Sequence, residues 1–134
     1  MRPCRGAEQE QDMVLYRTAD LMFGSKIQAT CVAHGVRAHP CRTTSKWEAF
    51  LKEGMEPRVL LIEVGQGQEG SLELIRIARR QRPGVRIIAF GPHIDTEGLR
   101  AAHEAGAGET LTRGAMAAQL EEMVRQWGAD SGKE

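Results

Sequence analysis

The sequence of 134 residues predicts an α/β domain, a doubly wound parallel sheet of five strands with helices on both faces. Three observations carry this. Val59 to Val64 is apolar apart from Glu63 and is bounded by Pro57 and Gly65, as expected of a strand buried on both faces. Val85 to Phe90 is a second such run. Between them lies the loop Gly65-Gln66-Gly67-Gln68-Glu69-Gly70, then a segment in which Ser71 can cap a helix and Leu72, Ile75 and Ala78 share a face. A strand, a helix and a strand joined so tightly pair in parallel. Glu63 then ends a central strand, where open α/β sheets place ligands and chemistry.

The other elements follow in chain order. Met1 to Gln11 is polar and is expected to be a disordered tail, so the domain spans residues 12–127. Met13 to Tyr16 is a short apolar strand. Thr18 or Asp20 starts a helix carrying Leu21, Phe23, Ile27 and Cys31 inward, and Gly35 ends it. Val36 to Cys41 is a weak strand that Pro40 confines to a sheet edge. Ser45-Lys46-Trp47-Glu48 reads as a capping box, with Trp47, Phe50 and Leu51 inward and Gly54 as the stop. Past Phe90, Gly91-Pro92-His93 is a loop, and Asp95 caps a helix with Leu99, Ala102 and Ala105 inside. Gly106 and Gly108 stop it, and Glu109 to Thr112 is the fifth strand. Met116 to Trp127 is the last helix, with Leu120, Met123, Val124 and Trp127 on one stripe, and residues 128–134 form a polar tail.

Composition narrows the function. Eighteen basic and eighteen acidic residues cancel, so nothing global points to nucleic acid or an anionic membrane. No apolar run approaches the roughly 20 residues of a membrane span, and the N-terminus lacks a signal-peptide core, so a cytoplasmic protein is expected. Cys4, Cys31 and Cys41 are an odd count without CxxC spacing and read as free thiols.

From Met13 to Trp127 the chain resembles a response-regulator receiver domain, of the flavodoxin-like fold. The resemblance rests on Pro57-Arg58-Val59-Leu60-Leu61-Ile62-Glu63, against the family's strand ending in the phospho-accepting aspartate. It rests also on Ala102-His103-Glu104-Ala105-Gly106-Ala107-Gly108-Glu109-Thr110-Leu111-Thr112-Arg113, against the family's EAGADDYLTKP stretch. It implies the strand order 2-1-3-4-5. It also implies that the functional positions are altered. The acceptor position holds Glu63. The magnesium-binding acidic pair falls on Arg17 and Thr18, the switch hydroxyl on Gly91, the lysine on Arg113, its following proline on Gly114, and the switch aromatic on Thr110. The resemblance thus implies a pseudo-receiver with a lost phosphorylation site.

The residues support this independently. Magnesium wants several oxygen ligands, usually with one or two carboxylates. Arg17 and Arg113 are expected to face Glu63 from neighbouring strand ends, leaving the site net positive and hostile to a cation. The alternative has Arg17 in solvent and Arg113 alone on Glu63. Asp20 is read as a charge favouring the helix N-terminus, and secondarily as a second carboxylate for a weak metal site.

Gly65, Gly67 and Gly70 formally fit a dinucleotide fingerprint after a strand. Against it, the next strand ends in Phe90 and Gly91 where an acid is needed, Leu74 is large, and Glu69 would sit beside a pyrophosphate. The plainer reading is a flexible loop over the site. Cys31, His34, His39 and Cys41 match no common zinc spacing and read as a buried thiol with exposed histidines. Arg76, Arg79, Arg80, Arg82 and Arg86 lack aromatic neighbours and read as a solvated face.

The expected function is therefore a stand-alone, non-catalytic signalling module without metal or cofactor, acting through protein partners of a signalling pathway. A second copy docked on the face of the fourth helix, fifth strand and fifth helix is one candidate partner. The rival is a flavodoxin-like domain binding a nucleotide or flavin through the Gly65 to Gly70 loop. A receiver phosphorylated at an unusual residue is a third reading.

Overall fold

The computed structural model describes residues 13–92 and 96–132. Five strands, β1 (Val14–Arg17), β2 (Ala38–Pro40), β3 (Val59–Glu63), β4 (Arg86–Gly91) and β5 (Glu109–Thr112), alternate with five helices. These are α1 (Leu21–Ala33), α2 (Thr44–Lys52), α3 (Ser71–Gln81), α4 (Thr96–Ala105) and α5 (Arg113–Gly132). The sheet is parallel in the order β2-β1-β3-β4-β5, as expected, with Pro40 on the edge strand. Residues 1–12, His93 and Asp95, the expected cap of α4, lie outside the described residues.

Alternation along the strands sorts side chains onto two faces. On one, Leu15, Leu60, Ile62, Ile87 and Ala89 pack with Trp47 of α2, Ile75 of α3 and Ala102 of α4. On the other, Val14, Tyr16, Leu61, Ile88 and Phe90 meet Ile27 of α1 and Leu120 and Val124 of α5. Each fully buried Leu or Ile contributes about 1.5–3 kcal/mol. β3 is buried along its whole length, Glu63 included, which makes it the best-anchored strand and a rigid support for what its end carries.

Local details differ from expectation, each for a physical reason. Asp20, extended at the N-cap of α1, accepts from the Met22 and Phe23 N–H groups. Leu21 is then the first helical residue and lies off the Ile27–Cys31 stripe, 76% exposed. The cap of α2 is Thr43, not Ser45: Thr43 is extended, and the Lys46 N–H donates to its hydroxyl at 3.0 Å. Ser71 does not cap α3. Gly70 holds the N-cap at φ 94°, a left-handed conformation that favours glycine, and Ser71 is buried one residue inside. The last helix starts at Arg113 and runs to Gly132, through the stretch expected as a tail. Gly128 allows its close approach, since a Cβ there would lie 2.6 Å from the His34 carbonyl oxygen. His34 and His39 are half-buried rather than exposed; His34 lies 3.5 Å from Glu121, and His39 rests against the Phe50 ring. Arg79 is not merely solvated, because it donates to the Gly106, Pro83 and Val85 carbonyls.

Candidate functional site

The carboxyl ends of β1 and β3 and the start of α5 converge on Glu63. Its side chain is only 9% exposed, yet both oxygens are satisfied. One accepts from the Thr18 hydroxyl at 2.7 Å and from the Ala19 N–H at 3.4 Å. The other accepts from Arg113. The second terminal nitrogen of Arg113 donates to Asp20. Arg113 thus bridges two carboxylates, which a planar guanidinium can do and a point charge cannot do as well. The Phe23 N–H, followed by Arg113, holds the Asp20 carboxyl below its usual value.

Arg17 does not face Glu63, which corrects the expected pairing. Arg17 lies opposite Ile62 in the β1–β3 register, so the pleat turns it to the other side of the sheet from Glu63, while Thr18 shares the Glu63 side. Nor does it reach freely into solvent. Its guanidinium donates to Gln68 at 3.1 Å, the Ser71 hydroxyl at 2.7 Å, the Glu69 carbonyl at 2.6 Å and the Arg42 carbonyl at 3.0 Å. The Ser71 hydroxyl in turn donates to the Glu63 carbonyl at 2.6 Å. Burial, then Arg42, lowers the Arg17 pKa. The expected net-positive site is also corrected: around Arg113 two carboxylates face one guanidinium, and Arg17 neutralises none of them directly.

The loop of residues 65–70 is tied down rather than free over the site. Gly65, Gly67 and Gly70 have φ of 120°, 83° and 94°, and Arg17 holds the loop from behind. Gly91, at the end of β4, is enclosed, since a Cβ there would lie 2.8 Å from the Val64 carbonyl oxygen. Thr110 is half-buried in β5, and Gly114 follows Arg113 in the first turn of α5. Cys31 and Cys41 lie on opposite faces of the sheet. Burial pushes their thiols up to about 12 and about 11. Among the described residues no three His, Cys, Asp or Glu side chains cluster as metal ligands.

No protein-family model matches the chain, and no curated protein matches it. Solved structures do. A CheY-like response regulator receiver domain protein from Methanospirillum hungatei JF-1 superposes with a TM-score of 0.70 at 17% identity, covering 90% of this chain and 96% of that one. The receiver domain of NtrX from Brucella abortus superposes with a TM-score of 0.70 at 15% identity, covering 87% and 98%. The fold is that of a response-regulator receiver domain. The beryllofluoride-activated NtrC4 receiver domain, solved as a dimer, is also similar, with a TM-score of 0.66 at 17% identity over 87% of this chain and 98% of that one.

On this receiver fold, sequence reasoning found Glu63 and Arg113 but missed two links. It did not join Asp20 to Arg113, 93 residues away. It also missed Gln68 and Ser71 as the partners of Arg17. Counting alternation forward from Tyr16 in β1 and from Leu61 in β3 places Arg17 on the far side from Glu63. No helix among the described residues is long and apolar enough to cross a membrane.

Proposed function

We propose that this chain is a pseudo-receiver, a non-catalytic signalling module that works by binding protein partners and not by accepting a phosphoryl group. The reading rests on the Glu63 carboxylate, whose two oxygens are both engaged by Arg113, Thr18 and Ala19. A carboxylate so paired is a poor nucleophile and a poor metal ligand, since either role requires breaking a charge-assisted contact. Arg17 and Thr18 supply no carboxylate for magnesium, and Asp20 is already bonded to Arg113. Gly91 has no hydroxyl and Thr110 no aromatic ring, so the residues that relay the state of the site in receivers are replaced. On this reading the site is a fixed structural joint, and control lies in partner concentration rather than in a population shift.

The test is to incubate the protein with a small phosphodonor and magnesium and measure its intact mass. The expected result is an unchanged mass. A gain of one phosphoryl group mapped to Glu63 would overturn the reading.

A further inference from the structure

Among the described residues the exposed large apolar side chains are Leu21, Met22 and Val32, at 76%, 83% and 64% exposure, and all three lie on α1. Two cavities run along the side of this helix that faces the edge strand β2. One, of about 310 Å³, is lined by Leu21, Gly24, Ser25, Gln28, Pro40 and Arg42 among others. The next, of about 380 Å³, is lined by Gln28, Val32, Gly35, Arg37 and His39 among others. Gln28 belongs to both, so they form one groove. Leu21, Ser25, Gln28 and Val32 follow helical spacing along it, and at 1.5 Å per residue they span about 16 Å, or three turns.

The cations that line this groove outnumber its acids: Arg37 and Arg42 flank β2, and the one acid of the lining, Asp20, is bonded to Arg113. Between residues 13 and 47 the sequence carries Arg17, Lys26, Arg37, Arg42 and Lys46 against a single acid, Asp20, which is bonded to Arg113. Glu121 is an acid at the far end, beside His34.

We infer that this groove docks an acidic amphipathic helix of about three turns from another protein, with apolar residues on one stripe and Asp or Glu on its flanks. The inference rests on the partner-binding reading above and gives it a surface and a chemistry. A second copy of the chain is disfavoured, because a two-fold contact here would bring Arg37 and Arg42 against the same cations. An added strand is disfavoured because β2 has three residues and Pro40 offers no N–H.

The test uses the full chain, isotope-labelled, titrated with two synthetic helical peptides. Both carry leucines on one stripe, and one has glutamate flanks and the other lysine flanks. The glutamate peptide is expected to give saturable amide shifts at Leu21, Ser25, Gln28, Val32 and Arg37, weakened by added salt. The lysine peptide is expected to give none. Val32→Glu, and separately Arg37→Glu with Arg42→Glu, should each weaken binding about tenfold or more while leaving the rest of the spectrum intact. No saturable shift, equal binding of the lysine peptide, or indifference to both variants would overturn the inference. Shifts confined to α4, β5 and α5 would also overturn it, yet would leave the partner-binding reading standing.

Discussion

The guanidinium of Arg113 is held against the carboxylate of Glu63, a residue 50 positions earlier in the chain. The carboxylate is nearly buried and the guanidinium is 37% exposed, so the two are unequal partners. Losing the charge of Glu63 leaves Arg113 with Asp20 and with water. Losing Arg113 leaves a buried carboxylate with only Thr18 and the Ala19 N–H. Glu63→Gln is therefore expected to cost about 1–2 kcal/mol and Arg113→Gln about 2–3 kcal/mol, since an uncompensated buried charge is the larger penalty. Chemical denaturation of both variants and the double variant should show a coupling of about 1 kcal/mol. Additive losses would show that the pair does not act as a unit.

Arg17 joins three segments: the end of β1, the turn after β2 at Arg42, and the loop before α3. Arg17→Met keeps much of the stem and removes the donors. It is expected to cost about 1 kcal/mol, the modest value fitting a partly exposed charged donor. Amide hydrogen exchange at Gln68 to Ser71 should accelerate, with β3 unaffected. If β3 and the loop respond equally, Arg17 supports the whole sheet edge and not the loop in particular.

Gly91 is fixed by lack of space, not by backbone conformation. A Cβ there would lie 2.8 Å from the carbonyl oxygen of Val64, and backbone in a buried sheet yields little. Gly91→Thr, which would supply the hydroxyl found there in receivers, is expected to destabilise the protein by about 1–3 kcal/mol through overpacking. Denaturant midpoints measure this. An unchanged midpoint would mean that the loop after β3 moves aside freely.

Much of this was legible in the sequence, and the gaps have a physical pattern. The apolar runs at β3 and β4 sufficed for a parallel sheet, because burial on both faces leaves few other readings. Glu63 and Arg113 can be placed together because Glu63 ends β3 and Arg113 directly follows β5, and parallel strands bring those two points to the same end of the sheet. Nearness of strand ends does not give the direction of Arg17, because the pleat turns neighbouring residues to opposite faces and Arg17 pairs with Ile62 rather than Glu63. Asp20 reads in the sequence as one of two possible helix starts and as a charge favouring the helix N-terminus; it is the N-cap, and that role hides its second bond to Arg113. Thr43 is hidden as a cap because Ser45 and Glu48 offer a familiar spacing only two residues further on. The exposure of Leu21 came from the same source, since a helix starting at Asp20 leaves its first residue outside the buried stripe.

The measurement that bears most directly on the closed site is the amide spectrum of the intact protein before and after adding magnesium and a small phosphodonor together. Thr18, Ala19, Glu63, Val64 and Gly91 report on the site, and Leu111 and Thr112 report on β5 behind it. With Glu63 held by Arg113 and Thr18, these resonances should stay in place at millimolar magnesium. Saturable shifts at Thr18 and Glu63, spreading to β5 when the phosphodonor is added, would contradict the account of a closed site.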